Sequence, residues 1–291
     1  MTYPEELAQE LAAVGIAGSL RHRIVAEIAD HLACDPEADL GAPRALARQF
    51  ADEIGTSHAR RAAITSFGAL ALAGILFAAA FVTAPSGAFG AAWSGAPLLG
   101  RVATGVTLVA PQLAFVAGVL AALRALVRRR TTVLSAAEAT VIVRRAAVGV
   151  AAGIASMAAL GLIAIEYRGY LPGGWVVLAE VAAGIGLAAL AASVPALLGA
   201  VRLRPLAPGS PGDVFDDLGG WVPSPLRGHL WRLALVVAGL VGLAIALFGV
   251  LASDGFDGAV RGIADALLCL LGFATLGRYL GLWSRGQLSR E

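Results

Sequence analysis

The sequence predicts an all-α protein in which a small N-terminal three-helix domain precedes a six-helix transmembrane bundle. Three observations lead to this fold class. The chain of 291 residues is 58% hydrophobic and only 14% charged, and its mean hydropathy of +0.78 lies far outside the range of globular proteins. The first 58 residues are polar instead, with ten carboxylates against four Arg. Six long apolar stretches follow them.

Residues 1–58 are predicted to form a cytosolic domain of three short amphipathic helices that share one core, because their apolar side chains recur with helical spacing. Gly15 and Gly18 separate the first two helices, and Pro43 suits the first turn of the third. The three apolar stripes are Leu7 and Leu11; Leu20, Ile24, Ile28 and Leu32; and Leu46, Phe50 and Ile54.

Residues 59–291 are predicted to form the transmembrane domain. Crossing about 30 Å of hydrocarbon takes roughly 20 helical residues. Lipid offers the backbone no hydrogen-bond partners, so each apolar stretch should be a helix. The first stretch begins too far along the chain for a cleaved signal peptide and is expected to be a retained anchor. The six spans are predicted at about 62–83, 102–123, 146–166, 175–201, 231–252 and 259–281.

All 22 basic residues are Arg, and their distribution predicts the orientation of the spans. The connection between the second and third spans holds six of them, whereas the connections on the opposite side hold only Arg101 and Arg168. The Arg-rich side is therefore predicted to be cytoplasmic, and an even number of spans places both termini there. The six residues are Arg124, Arg128, Arg129, Arg130, Arg144 and Arg145.

The odd-numbered spans begin alike, which suggests three tandem helical hairpins. The similar stretches are "RRAAITSFGALALAG" from Arg60, "RRAAVGVAAGIASMA" from Arg144 and "LWRLALVVAGLVGLA" from Leu230. Sequences rich in Ala, Gly and Leu also imitate repeats, so the hairpin repeat stays an open alternative. Abundant Gly and Ala favour close helix packing, including association between copies of the chain.

One stretch of the N-terminal domain has a specific pattern, "RHRIVAEIADHLACDPEADLGAPRALARQFADEIG". Its two parts are R-x-x-I-x-x-E-I-x-D-H-L, from Arg21 through Leu32, and L-G-x-P-x-x-L-A-x-x-F, from Leu40 through Phe50. This pair resembles the HAAS signalling domain, a short helical module that precedes membrane segments in bacterial proteins and is often encoded beside PadR-like transcriptional regulators. The resemblance covers about the first 58 residues. It implies a regulatory or interaction module of the bacterial inner membrane and no catalytic residue.

Glu27, Asp30 and His31 are candidate partner-binding residues, because their spacing places them close together on the second predicted helix. They could present part of an acidic face to a protein partner. Alternatively, Asp30 and His31 could stabilise the end of their own helix, where an imidazolium favours the negative pole of the helix dipole.

Polar side chains inside predicted spans are the second group of candidates, because ionisable groups in hydrocarbon are energetically expensive. Glu180 lies in the fourth span, Arg261 and Asp265 lie in the sixth, and Gln112 follows a proline in the second. Glu180 could form an ion pair with Arg261 or Arg101 that holds helices together. The carboxylates could instead line a polar cavity for a cationic ligand or a proton.

The sequence contains no Walker phosphate loop, no His-Glu-x-x-His, no Gly-x-Ser-x-Gly elbow and no cysteine cluster. It therefore predicts no enzyme, no bound metal and no cofactor. The net charge of −6 on residues 1–58 disfavours direct binding of nucleic acid.

The leading hypothesis is a signalling protein of the lipid bilayer, whose cytosolic domain binds a regulatory partner such as a PadR-like transcription factor. A second hypothesis is a permease, or the membrane subunit of an ABC-type exporter that would bind a transporter ATPase. A third is a membrane scaffold that forms homo-oligomers through Gly and Ala faces.

Overall fold

The computed structural model describes residues 1–16, 18–84, 97–130 and 133–210, with five isolated positions further along (236, 239, 240, 243 and 267). Every regular element in these ranges is a helix, which confirms the all-α class. A single 3-10 turn follows α4. The helices are α1 Tyr3–Ala13, α2 Gly18–Cys34, α3 Pro43–Val82, α4 Leu98–Val127, α5 Ala136–Glu166 and α6 Gly173–Arg202, and the 3-10 turn is Arg128–Arg130.

Helices α3 to α6 are long and apolar enough to cross a bilayer. They contain the first four predicted spans and identify the chain as a membrane protein. The predicted six spans are not matched within the described ranges, which hold these four candidates. The fifth and sixth predicted spans, 231–252 and 259–281, lie outside the described residues.

The third helix of the N-terminal unit and the first span are one continuous helix of 40 residues. The prediction of a separate short helix before the first span is therefore wrong. The sequence between them contains no proline, and its one glycine, Gly55, is tolerated inside the helix. A 40-residue helix is about 60 Å long, roughly twice the hydrocarbon thickness, so about half of α3 must extend beyond it.

The buried face of α3 is made of small residues rather than the predicted stripe of Leu46, Phe50 and Ile54. Those three side chains pack only partly buried against the N-terminal core. Small side chains recur every three or four positions and let neighbouring backbones approach closely. The buried residues along this half of the helix are Ala47, Ala51, Gly55, Thr56, Ala59, Ala62, Ala63 and Ser66.

The first two helices and the start of α3 share one hydrophobic core, in which Leu20 and Ile28 of the predicted α2 stripe are only partly buried. Leu7 and Leu11 of α1 are fully buried in it, beside Ile24 of α2 and Ala47 of α3. Helix α1 packs against both α2 and α3. Leu203, just after α6, also packs against this core. The N-terminal unit is therefore joined to the bundle by α3 and by the segment that leaves α6.

In the bundle, α3 and α5 lie at the centre, since each packs against the other three long helices. The most extensive contacts are those of α4 with α5 and of α3 with α6. In a bundle of tandem helical hairpins, α3 would pack mainly against α4, the next helix in the chain. Leu70 of α3 explains part of this arrangement, because a Cβ atom on Gly118 of α4 or Gly153 of α5 would lie 2.7 Å from a Leu70 methyl carbon. The glycines leave the space that Leu70 fills.

At the end of the bundle farthest from the N-terminal unit, aromatic side chains connect the helices. The indole Nε1 of Trp175, on α6, donates a hydrogen bond to the carbonyl oxygen of Ala80 on α3, 2.8 Å away. Tyr167 is buried against α4, where a Cβ on Gly100 would meet its hydroxyl at 3.2 Å. The Trp175 bond fixes α6 against α3 at this end, and Tyr167 packs the end of α5 against α4.

Candidate functional site

The predicted partner-binding residues lie on the surface of α2. Glu27, Asp30 and His31 are all exposed. Glu27 forms an ion pair with Arg23 at 3.2 Å, in which both side chains are mostly exposed, and such pairs contribute little to stability. His31 lies in the last turn of α2. All three side chains are accessible to a protein partner.

The N-terminal unit meets the bundle at a polar contact region, here called the juxtamembrane junction. It consists of Asp52 and residues 55–60 of α3, residues 128–130 and 133–138 from the end of α4 to the first turn of α5, and residues 203–210 after α6. Two side chains of α3 accept backbone hydrogen bonds there. Asp52 Oδ1 accepts from the amides of Leu206 and Ala207, the latter at 2.9 Å. Thr56 Oγ1, which is buried, accepts from the amide of Leu134 at 2.9 Å.

Two further hydrogen bonds connect the segments of the junction. The amide of Ala136, at the start of α5, donates to the carbonyl oxygen of Ala207 at 2.9 Å. A guanidinium nitrogen of Arg60 donates to the carbonyl oxygen of Arg128 at 2.6 Å. Arg128 follows the last residue of α4, so Arg60 satisfies a carbonyl at the negative pole of that helix.

Gly55 permits the close approach of the segment after α6. A Cβ atom on Gly55 would lie 2.5 Å from the backbone nitrogen of Pro205 and 2.8 Å from the carbonyl carbon of Arg204. Real Cβ atoms do not approach backbone atoms this closely. Position 55 must therefore be a glycine for this segment to cross α3 so closely.

The junction also contains a carboxylate with two guanidinium neighbours. Glu138 Oε1 is 3.6 Å from Arg124, which is completely buried, and 3.3 Å from Nε of Arg128. Glu138 also closes a capping box with Ser135 at the start of α5. Arg145 is buried about two turns further along α5. These arginines therefore have a packing role besides the topological role predicted from the sequence.

Sequence reasoning missed both carboxylates of the junction, Glu138 and Asp52. Glu138 has a local signal, the Ser135-x-x-Glu138 spacing of a capping box at the beginning of an apolar run. Asp52 has none, because its hydrogen-bond donors are more than 150 positions away in the chain.

Two of the four predicted intramembrane polar residues, Glu180 and Gln112, lie in the described ranges. Glu180 forms an ion pair with Arg168, whose Nε lies 3.1 Å from Oε1, and not with Arg101. Gln112 lies in the interior of α4 and donates to the carbonyl oxygen of Leu108, four residues earlier, at 2.9 Å. Arg261 and Asp265 lie outside the described residues. Glu180 thus has an ion-pair partner, Arg168, that was not among those predicted from the sequence.

No family model, curated protein or solved structure matches this chain. Within the described ranges, no group of three or more His, Cys, Asp and Glu side chains is placed to hold a metal ion. The accessible face of α2 and the junction that connects the N-terminal unit to the bundle are the candidate functional surfaces.

Proposed function

We propose that this protein is a bacterial inner-membrane regulator whose N-terminal helices bind a cytosolic regulatory protein of the PadR-like class. The observation that supports it most is the continuity of α3. One helix contributes Ala47 and Ala51 to the N-terminal core and then crosses the membrane. The resemblance of Arg21–Phe50 to the HAAS domain is the reason for the class of partner.

The proposal includes a cytoplasmic location for the N-terminal unit. This unit contacts the segment after α6, and the Arg-rich connection of α4 and α5 lies at the same end of the bundle. Arginine-rich connections remain on the cytoplasmic side. With two further spans beyond residue 210, both termini would be cytoplasmic.

In the proposed mechanism, the bundle controls the partner-binding face through α3. Packed helices change position in discrete steps rather than by continuous bending. A shift of α3 against α5 and α6 would strain the hydrogen bonds of Thr56 and Asp52, because the donor to Thr56 lies just before α5 and the donors to Asp52 lie after α6. The N-terminal unit would then move relative to the junction, which alters access to α2.

The position of Glu180 favours a structural role over transport. Its carboxylate is neutralised by Arg168 in the connection between α5 and α6, as expected for a pair near a membrane interface. An exporter subunit and a homo-oligomeric scaffold are alternative outcomes of the experiment that follows.

The test is affinity capture with the full-length tagged protein, solubilised from native membranes in mild detergent, followed by mass spectrometry. The wild type should recover a winged-helix regulator, and the double variant Glu27→Arg/Asp30→Arg should lose it. Glu53→Arg is the matched control, because Glu53 is an exposed carboxylate on α3. Recovery of an ATPase, of only further copies of this chain, or of no cytosolic protein would reject the proposal. So would cleavage of the N-terminal unit by protease added outside intact cells.

A further inference from the structure

An open apolar groove of about 560 Å³ lies in the N-terminal unit, between the start of α1, the end of α2 and the connection that leads to α3. The end of α2 contributes a row of apolar residues on one side of the helix. The first turn of α1 and the connection provide the other walls. Its lining includes Tyr3, Pro4, Ala29, Leu32, Ala33 and Leu40.

Acidic residues flank this groove along the connection that forms one of its walls. The connection from α2 to α3 carries Asp35, Glu37 and Asp39, all exposed. The hydroxyl of Tyr3, a lining residue, donates to the carbonyl oxygen of Leu40 at 3.4 Å. Burial raises the pKa of Tyr3, and the charges of Asp39 and then Glu6 raise it further. The carboxylates of Asp39, in the connection, and Glu6, on α1, therefore both act electrostatically on the phenol of Tyr3.

We propose that this groove binds a basic amphipathic helix of the cytosolic partner, with the apolar face of that helix against Ala29, Leu32 and Ala33 and its cationic residues beside the acidic rim. A helix laid in an apolar groove is a common mode of peptide recognition. The inference rests on the proposed function and specifies the chemistry of the partner.

Charge decides between the possible macromolecular partners. The N-terminal 58 residues have a net charge of −6, and nucleic acids and anionic lipid surfaces are themselves negative. Both would be repelled by the rim. A cationic protein helix is attracted by it, and steering by complementary charge accelerates such encounters.

The binding test uses the full-length protein in nanodiscs of phosphatidylcholine, which carries no net charge. The probe is a fluorescent synthetic helix of Leu and Lys with one apolar and one cationic face, and a scrambled peptide of equal composition is its control. Wild type should bind the amphipathic probe and bind the scrambled peptide much more weakly. Equal binding of both peptides would overturn the inference, because only charge would then matter.

Two variants separate the groove from its rim. Ala33→Trp should abolish binding by filling the groove, since Ala33 is exposed and the larger side chain can be accommodated without unfolding α2. Asp35→Asn/Asp39→Asn should weaken binding roughly five- to tenfold, and the difference should shrink at high salt. Glu53→Gln, on α3, should bind like wild type. Unchanged binding to Ala33→Trp, with an unchanged helical circular dichroism spectrum, would overturn the inference.

Different experimental results would reject the binding groove and the proposed function. If Ala33→Trp still captures the cytosolic regulator while Glu27→Arg/Asp30→Arg does not, the groove is wrong and the proposed function stands. If wild type captures no cytosolic protein, the proposed function itself fails. Self-association of the wild type that Ala33→Trp removes would identify a second copy as the occupant and overturn the basic-helix assignment.

Discussion

Asp52 on α3 accepts a hydrogen bond from the backbone amide of Ala207, 2.9 Å away, although the two residues are 155 positions apart in the chain. Its Oδ1 atom also accepts from Leu206. One carboxylate thereby holds the segment that leaves α6 against the helix that enters the membrane. This contact makes the junction testable by substitution.

Asp52→Ala should lower the free energy of unfolding by about 1–3 kcal/mol, because two amides lose a charged acceptor. The measurement is thermal unfolding in detergent, together with limited proteolysis of residues 203–210, which should become faster. Glu53→Ala, at the adjacent exposed position, should change neither. Equal effects of the two substitutions would show that Asp52 does not hold this segment.

Gly55→Ala should destabilise the junction by about 1–3 kcal/mol, because the added methyl group overlaps the backbone at Pro205. Gly68→Ala is the control within the same helix. Apart from the backbone of its own helix, no described atom lies within 4 Å of a Cβ built on Gly68, so that change should be neutral or stabilise by up to about 1 kcal/mol. Thermal melts of both variants in the same detergent give the comparison, and a stabilising Gly55→Ala would contradict the close approach.

Leu70→Ala should destabilise the bundle by about 2–5 kcal/mol, since it removes the side chain that fills the space beside Gly118 and Gly153. Leu72→Ala, on the exposed face of α3, should have a much smaller effect. Denaturation in mixed micelles measures both. Similar losses from the two leucines would mean that the packing of α3 does not depend on Leu70.

Glu138→Gln should destabilise the protein by about 3–5 kcal/mol, because it removes the negative charge beside the buried guanidinium of Arg124. A glutamine preserves the capping box with Ser135, so the effect reports the charge and not the cap. Glu180→Gln breaks a more exposed pair with Arg168 and should lose no more than about 1 kcal/mol. Thermal unfolding should therefore show a larger loss of stability for Glu138→Gln than for Glu180→Gln.

The raised pKa of Tyr3 predicts a loss of stability at alkaline pH. The folded state holds the phenol proton more tightly than the unfolded state, so this contribution is present below the unfolded pKa of about 10 and is lost as pH rises through the folded pKa. Tyr3→Phe should remove the pH dependence in that range. The chain has four tyrosines, so the ionisation of Tyr3 is measured as the difference in phenolate absorbance between wild type and variant. The loss of helical circular dichroism should follow that difference in wild type and be absent from the variant.

The hydrophobic pattern by itself determined the first four spans, because any segment in hydrocarbon must satisfy its backbone internally and needs a minimum apolar length. The shared core of the N-terminal unit also followed from local periodicity, as Leu7, Leu11 and Ile24 show. These features depend on neighbours in sequence and on the solvent. They require no knowledge of the rest of the chain.

Only the tertiary structure decided which helices are neighbours and which polar groups meet. Glu180 pairs with Arg168 rather than Arg101, and Asp52 meets the segment after α6 rather than solvent. Lipid solvates the apolar faces of all spans almost equally, so their arrangement depends on close fits such as Leu70 among glycines and on a few buried polar contacts. Those contacts join residues that are distant in sequence, so the hydrophobic periodicity of each segment cannot predict them.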